Sequence, residues 1–127
     1  MAGLNHKGMI KRAITYGSSA DNWDAFFGPR SSADRGCQAT VLALIAKHCD
    51  GHRLRSPDQL NDEGDGILAF KGRCGLRVYF WQCTSRDGEQ LCVVGLVIHK
   101  KKRGLDANDH AKVVALRNQF VQSELGR

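Results

Sequence analysis

The chain is short of proline, with two in 127 residues, and it contains no apolar run near the roughly 20 residues that a membrane-spanning helix needs. There is no internal repeat and no low-complexity linker, so the length is most simply one domain, residues 1–127, with a single core. The opening "MAGLNHKG" lacks an apolar h-region and a small-residue cleavage site, which speaks against a secretory signal. Cysteines 37, 49, 74, 83 and 92 are odd in number and show no CxxC pairing. They read as small hydrophobes with reduced thiols, and the expected setting is cytoplasmic. The patterns GxxxxGK[ST], GxSxG and HExxH are missing, which removes the common nucleotide-binding and hydrolase readings. "HCDGH" (His48, Cys49, Asp50, His52) has metal-ligand residue types, but a structural zinc site wants a second cluster and none is apparent. No metal or other cofactor is expected.

What is present is positive charge in particular places. The net charge is +6, and the stretches Lys71–Arg77 and His99–Arg103 together hold seven Lys or Arg residues and no acid. The second lies in "LVIHKKKRG", where an apolar run meets His99, Lys100, Lys101, Lys102 and Arg103. Cations that begin where a rigid element stops are well placed to hold an anion, and nucleic acid is the commonest polyanionic partner. A solvated basic turn, or a localisation-type tetrad, is the blander account of the same residues.

The periodicities give a coarse layout. "MIKRAITYG" reads as a strand or an irregular arm, and "DNWDAFFG" as a short helix closed by Gly28-Pro29. "SSADRGCQATVLALIAKHCDG" is the clearest helix of the first half, with Ser31 and Asp34 as a capping pair and Gly51 as its stop. "HRLRSPDQLNDEGDG" reads as a loop. From Gly66 the period changes, and "GILAFK", "LRVYFWQC" and "EQLCVVGLVIHK" read as three strands joined by short turns. Asp106 caps a last helix with Val113, Leu116 and Phe120 on one face. The expected fold is therefore α+β: N-terminal helices packed on one face of an antiparallel three- to four-stranded meander sheet, followed by a C-terminal helix.

Alternation along the middle strand puts Leu76, Val78 and Phe80 on one face and Arg77, Tyr79 and Trp81 on the other. An open sheet bearing an arginine and two aromatics suits single-stranded RNA, with bases stacked and phosphates paired. Taken alone, Tyr79 and Trp81 read more readily as half-buried strand residues, because aromatics favour strands anyway. Lys71 and Arg73 flank the hairpin before this strand. Antiparallel pairing would bring Arg77 beside the strand end from which Lys100–Lys102 emerge.

The block "DGILAFKGRCGLRVYFW…VVGLVIHKKKRGLDANDHAKVVALRNQF" resembles the RelE/ParE toxin superfamily of toxin–antitoxin systems, and within it the HigB-like branch. The resemblance covers Asp21 to Gln122 in the order of elements and Gly66 to Arg103 in motif. It implies a RelE-like fold and a ribosome-dependent messenger-RNA endoribonuclease. Its implied partners are the ribosome, messenger RNA and a cognate antitoxin, typically a helix-turn-helix DNA-binding protein. By position, Arg77 matches the family's strand arginine, and Lys100 and Lys101 match its basic pair. Lys71 and Arg73, with Tyr79, Trp81, Lys102 and Arg103, become the expected RNA contacts. Two family lysines fall on Leu68 and Phe70 here, and no tyrosine follows the basic pair, which leaves His99 or His110 as the candidate base. A ParE-like, non-catalytic inhibitor of DNA gyrase and an inactive nucleic-acid-binding module are the alternatives.

Overall fold

Leu91 to Ile98 is almost unbroken apolar sequence, a pattern that belongs to a strand covered on both faces rather than one. The computed structural model, which describes residues 3–31, 33–99 and 106–126, places that run near the middle of a six-stranded sheet. In chain order the elements are β1 (Asn5–Lys7), β2 (Arg12–Thr15), α1 (Ser18–Phe27), α2 (Arg35–Cys49), β3 (Leu60–Gly64), β4 (Ile67–Lys71), β5 (Leu76–Thr84), β6 (Gln90–His99) and α3 (Ala107–Glu124). The strand order across the sheet is β1-β2-β6-β5-β4-β3. All neighbours are antiparallel except β2 and β6, which run parallel with Arg12 opposite Leu91.

This corrects the expected architecture. The β4-β5-β6 meander is there, but it is the middle and one flank of a mixed sheet with six strands, and helices cover both faces. On one face α1 and α2 enclose Phe70, Leu76, Val78, Phe80, Cys92 and Val94. On the other, Val113 and Phe120 of α3 close over Ile67, Ala69, Tyr79, Trp81, Leu91 and Val93. The physical reason is that residues read as an open RNA-binding face are apolar in bulk. Together with their β4 and β6 neighbours they form a second hydrophobic face, which α3 removes from water.

Local chemistry explains the element ends. Asp34 alone caps α2, accepting from the Cys37 amide at 2.6 Å, while Ser31 Oγ accepts from Ala33 N at 3.1 Å instead of sharing the cap. Gly51, at φ 88°, ends α2 in the left-handed conformation that suits a residue without Cβ. Asp106 caps α3 through the amides of Asn108 and Asp109 at 2.7 and 3.4 Å. The β3–β4 turn carries Asp65 and Gly66 at φ 56° and 79°, the backbone that Asp-Gly favours in a two-residue hairpin loop. A register shift after Tyr79 leaves Gly95 as the extra residue of β6, so the alternation of β6 reverses there. A Cβ on Gly95 would lie 2.6 Å from Trp81 Cζ3, so the bulge and the indole fit only together.

Cys37 and Cys74 form a disulfide joining the first turn of α2 to the β4–β5 hairpin. The expectation of reduced thiols throughout therefore fails for this pair. Cys49 and Cys92 are buried outside it, and burial pushes both thiols above their ordinary range, Cys92 strongly. Among the described residues no helix is long and apolar enough to cross a membrane.

Candidate functional site: the basic end of the sheet

Strand pairing brings the predicted cations of the hairpin to one end of the sheet. Lys71 of β4 stands directly opposite Arg77 of β5, and Arg77 is in turn opposite Ile98 of β6. Leu76 is opposite His99, so β6 ends level with the start of β5. Arg73 is exposed in the hairpin between Lys71 and Leu76. Like charges directly across a ladder disfavour pairing, so the Lys71–Arg77 juxtaposition creates a locus where an anion would be stabilising.

Two of these residues are locked by backbone. Arg77 Nη1 donates to the carbonyls of Gly72 and Leu76, at 2.7 and 3.1 Å, which fixes the guanidinium over the hairpin. His99 Nε2 lies 2.7 Å from the carbonyl of Cys74. A carbonyl only accepts, so Nε2 is the donor in this contact. Gly72 completes the hairpin: a Cβ there would sit 2.6 Å from Cys37 Sγ, so the disulfide and the turn pack backbone against sulfur.

The other expected site residues divide sharply. Tyr79 and Trp81 are 2% and 1% exposed, under α3, and provide no stacking surface. Burial is the largest cause that pushes the Tyr79 phenol up to about 12, and Trp81 meets Phe120 edge-on at 5.9 Å between ring centres. His110 lies at the opposite end of β4. There its Nε2 is 3.2 Å from the Gly64 carbonyl and 3.6 Å from Asp65 Oδ2, so it does not join Arg77. Lys100, Lys101, Lys102 and Arg103 lie outside the described residues.

Within the histidine motif, His48 contacts Lys11 and Gln82. His48 Nε2 is 3.3 Å from Lys11 Nζ and 3.1 Å from Gln82 Oε1, and Lys11 also reaches Gln82. Burial, then the Lys11 charge, lowers the His48 pKa, while the rings of Phe70 and Phe80 approach it edge-on at 5.5 Å. Among the described residues no three His, Cys, Asp or Glu side chains are grouped to hold a metal ion. The sequence could not pair Lys11 with His48, because the contact crosses from the chain before β2 to the last turn of α2.

No family model, no curated protein and no solved structure matches this chain.

Proposed function

We propose that this domain is a translation-arresting toxin, an endoribonuclease that cleaves messenger RNA at the ribosome without a metal and is held in check by an antitoxin. Its place of action is then the cytoplasm, a reading that follows from the ribosome as target and no longer from the cysteines, two of which are bonded. The observation that carries the reading is the strand register. Arg77, Lys71 and His99 share one end of the sheet, and the sequence continues from His99 directly into Lys-Lys-Lys-Arg.

The chemistry asks little of the protein. A ribose 2′-oxygen attacks the adjacent phosphorus, its proton leaves to a base, and the P–O5′ bond breaks. The products are a 2′,3′-cyclic phosphate and a 5′-hydroxyl that takes up a proton. Cations at the sheet end stabilise the charge that grows on the phosphorane oxygens, and His99 is the candidate base. With Tyr79 and Trp81 covered, the strand is held by its phosphates rather than by stacked bases.

One observation favours a second reading. Arg77 already spends Nη1 on two backbone carbonyls, which suits a positioning cation in a non-catalytic RNA-binding module equally well. The deciding experiment expresses the wild type, Arg77→Ala and His99→Ala in cells, follows growth, maps 5′ ends of messenger RNA and checks folding by thermal melt. New RNA ends in the wild type that disappear in folded Arg77→Ala support cleavage. RNA binding without new ends favours the binding module. Growth arrest with blocked gyrase supercoiling and intact RNA replaces both with a gyrase inhibitor.

A further inference from the structure

A cleft of about 720 Å³ opens between the first turns of α2, the 55–59 loop and the β4–β5 hairpin. Lys71 and Arg73 line it from the hairpin and Arg55 from the loop. Its two acids are both engaged: Asp34 caps α2, and Asp58 Oδ2 accepts from Arg55 Nε at 3.1 Å. That ion pair is largely exposed, so it is weak and easily exchanged for another anion.

The walls are fixed in place. The Cys37–Cys74 disulfide ties α2 to the hairpin, and the Lys71 amide donates to the Gln59 carbonyl at 3.0 Å. Within the loop, the amides of Gln59 and Leu60 donate to the Arg55 carbonyl at 2.9 and 3.0 Å, while Gln59 Oε1 accepts from the Arg55 amide at 2.8 Å. The disulfide supplies apolar surface, with Leu44 buried behind it, and Thr40 lines the cleft from the exposed side of α2. The volume falls inside the range of about 300–1,000 Å³ typical of small-molecule sites. It is far more than a bare phosphate needs.

We propose that this cleft is a nucleotide subsite, which takes one ribonucleotide flanking the bond held at the sheet end. Its phosphate lies among Arg55, Lys71 and Arg73, and its base lies against the disulfide. The inference rests on the RNA reading above and deepens it. Lys71 and Arg73 belong to both sites, whereas Arg55, Asp58 and Thr40 belong to the cleft alone. Asp58 acts here as an internal competitor, because its carboxylate occupies the guanidinium that a phosphate requires.

The test is the affinity of a labelled single-stranded RNA octamer for the whole protein and for three cleft variants, each checked for an unchanged melt. Arg55→Ala weakens binding roughly tenfold, through loss of one charge-assisted contact. Thr40→Phe weakens it by filling the cleft without touching a charge. Asp58→Asn tightens it, the opposite sign to any structural damage. Adenosine monophosphate shifts the amide resonances of Thr40 and Gln59, and inorganic phosphate at the same concentration does not. Octamer binding that is lost in Arg77→Ala yet indifferent to all three cleft variants overturns the subsite and leaves the sheet-end reading standing. If the octamer fails to bind while adenosine monophosphate still shifts those amides, the RNA reading falls and the nucleotide cleft remains.

Discussion

His99, at the end of β6, holds the carbonyl of Cys74 at 2.7 Å, and Cys74 is itself covalently bound to Cys37 at the start of α2. The candidate base is thus anchored to a disulfide-stapled hairpin, and the same hairpin holds Arg77 through the Gly72 carbonyl. The oxidation state of one bond therefore bears on the placement of both residues.

Reducing that bond should cost stability. It closes a loop across a separation of 37 residues, and removing a native disulfide from a small domain typically costs about 2–5 kcal/mol. Denaturant melts with and without a dithiol reductant measure the loss. The double variant Cys37→Ala/Cys74→Ala should match the reduced protein and lose all sensitivity to reductant. Equal melts for oxidised and reduced wild type would show that the bond contributes nothing to the fold.

Trp81 and Gly95 make a second coupled pair. Gly95→Ala drives a methyl group into Trp81 Cζ3, with Leu116 3.2 Å away, so overpacking should cost roughly 1–3 kcal/mol. Trp81→Phe removes the benzo ring that the methyl meets, together with a buried Nε1 that has no hydrogen-bond partner among the described residues. The double variant should then be more stable than the sum of the singles predicts, a non-additivity that a double-mutant cycle reads directly. Strict additivity would mean that the bulge and the indole are independent. Folded Trp81→Phe should also bind RNA as the wild type does, because α3 covers the ring.

The same residue shows what was legible in the sequence. Alternation sorted the side chains of β5 correctly, since Leu76, Val78 and Phe80 do share a face opposite Tyr79 and Trp81. Alternation says nothing about what covers each face, so the aromatic face reads as open until α3 is placed over it. The apolar run of β6 carried the missing signal. β1 and β3 escaped because short, polar edge strands show no hydrophobic period. The parallel β2–β6 ladder escaped because hairpin logic finds only strands joined by short turns. Arg77 and His99 could be placed at one sheet end from the sequence because they lie at ends of strongly patterned strands, whereas the loop of Arg55 has no periodicity to read.

His48 provides a pH test. Its folded-state pKa lies below its ordinary value through burial and the Lys11 charge, so the unfolded chain takes up its proton first as pH falls. Stability tied to His48 is complete above its ordinary value of 6.5 and is lost as pH drops through the lower folded-state value. His48→Gln keeps a polar partner for Lys11 and cannot titrate. Across pH 7 to 5, the variant should lose less stability than the wild type in parallel melts, an interval chosen around the ordinary histidine pKa of about 6.5. Parallel curves would show that His48 has the same proton affinity in both states.

Lys71 and Arg77, directly opposite each other, should separate binding from stability. If the sheet end tracks RNA phosphates as proposed, Lys71→Met and Arg77→Met should both weaken RNA binding. Each loss of a phosphate contact should lower the slope of log affinity against log salt by about 1. Their effects on the fold differ in sign. Lys71→Met relieves a like-charge cross-strand pair, which is worth roughly 0.2–1 kcal/mol, and should leave the melt unchanged or higher. Arg77→Met strips a donor from the Gly72 and Leu76 carbonyls and should lower it. Salt titrations and melts on the two variants decide the matter. A Lys71→Met protein with wild-type salt dependence would take Lys71 off the phosphate track, whereas a more stable protein that binds RNA weakly would show stability given up for a charge the function uses.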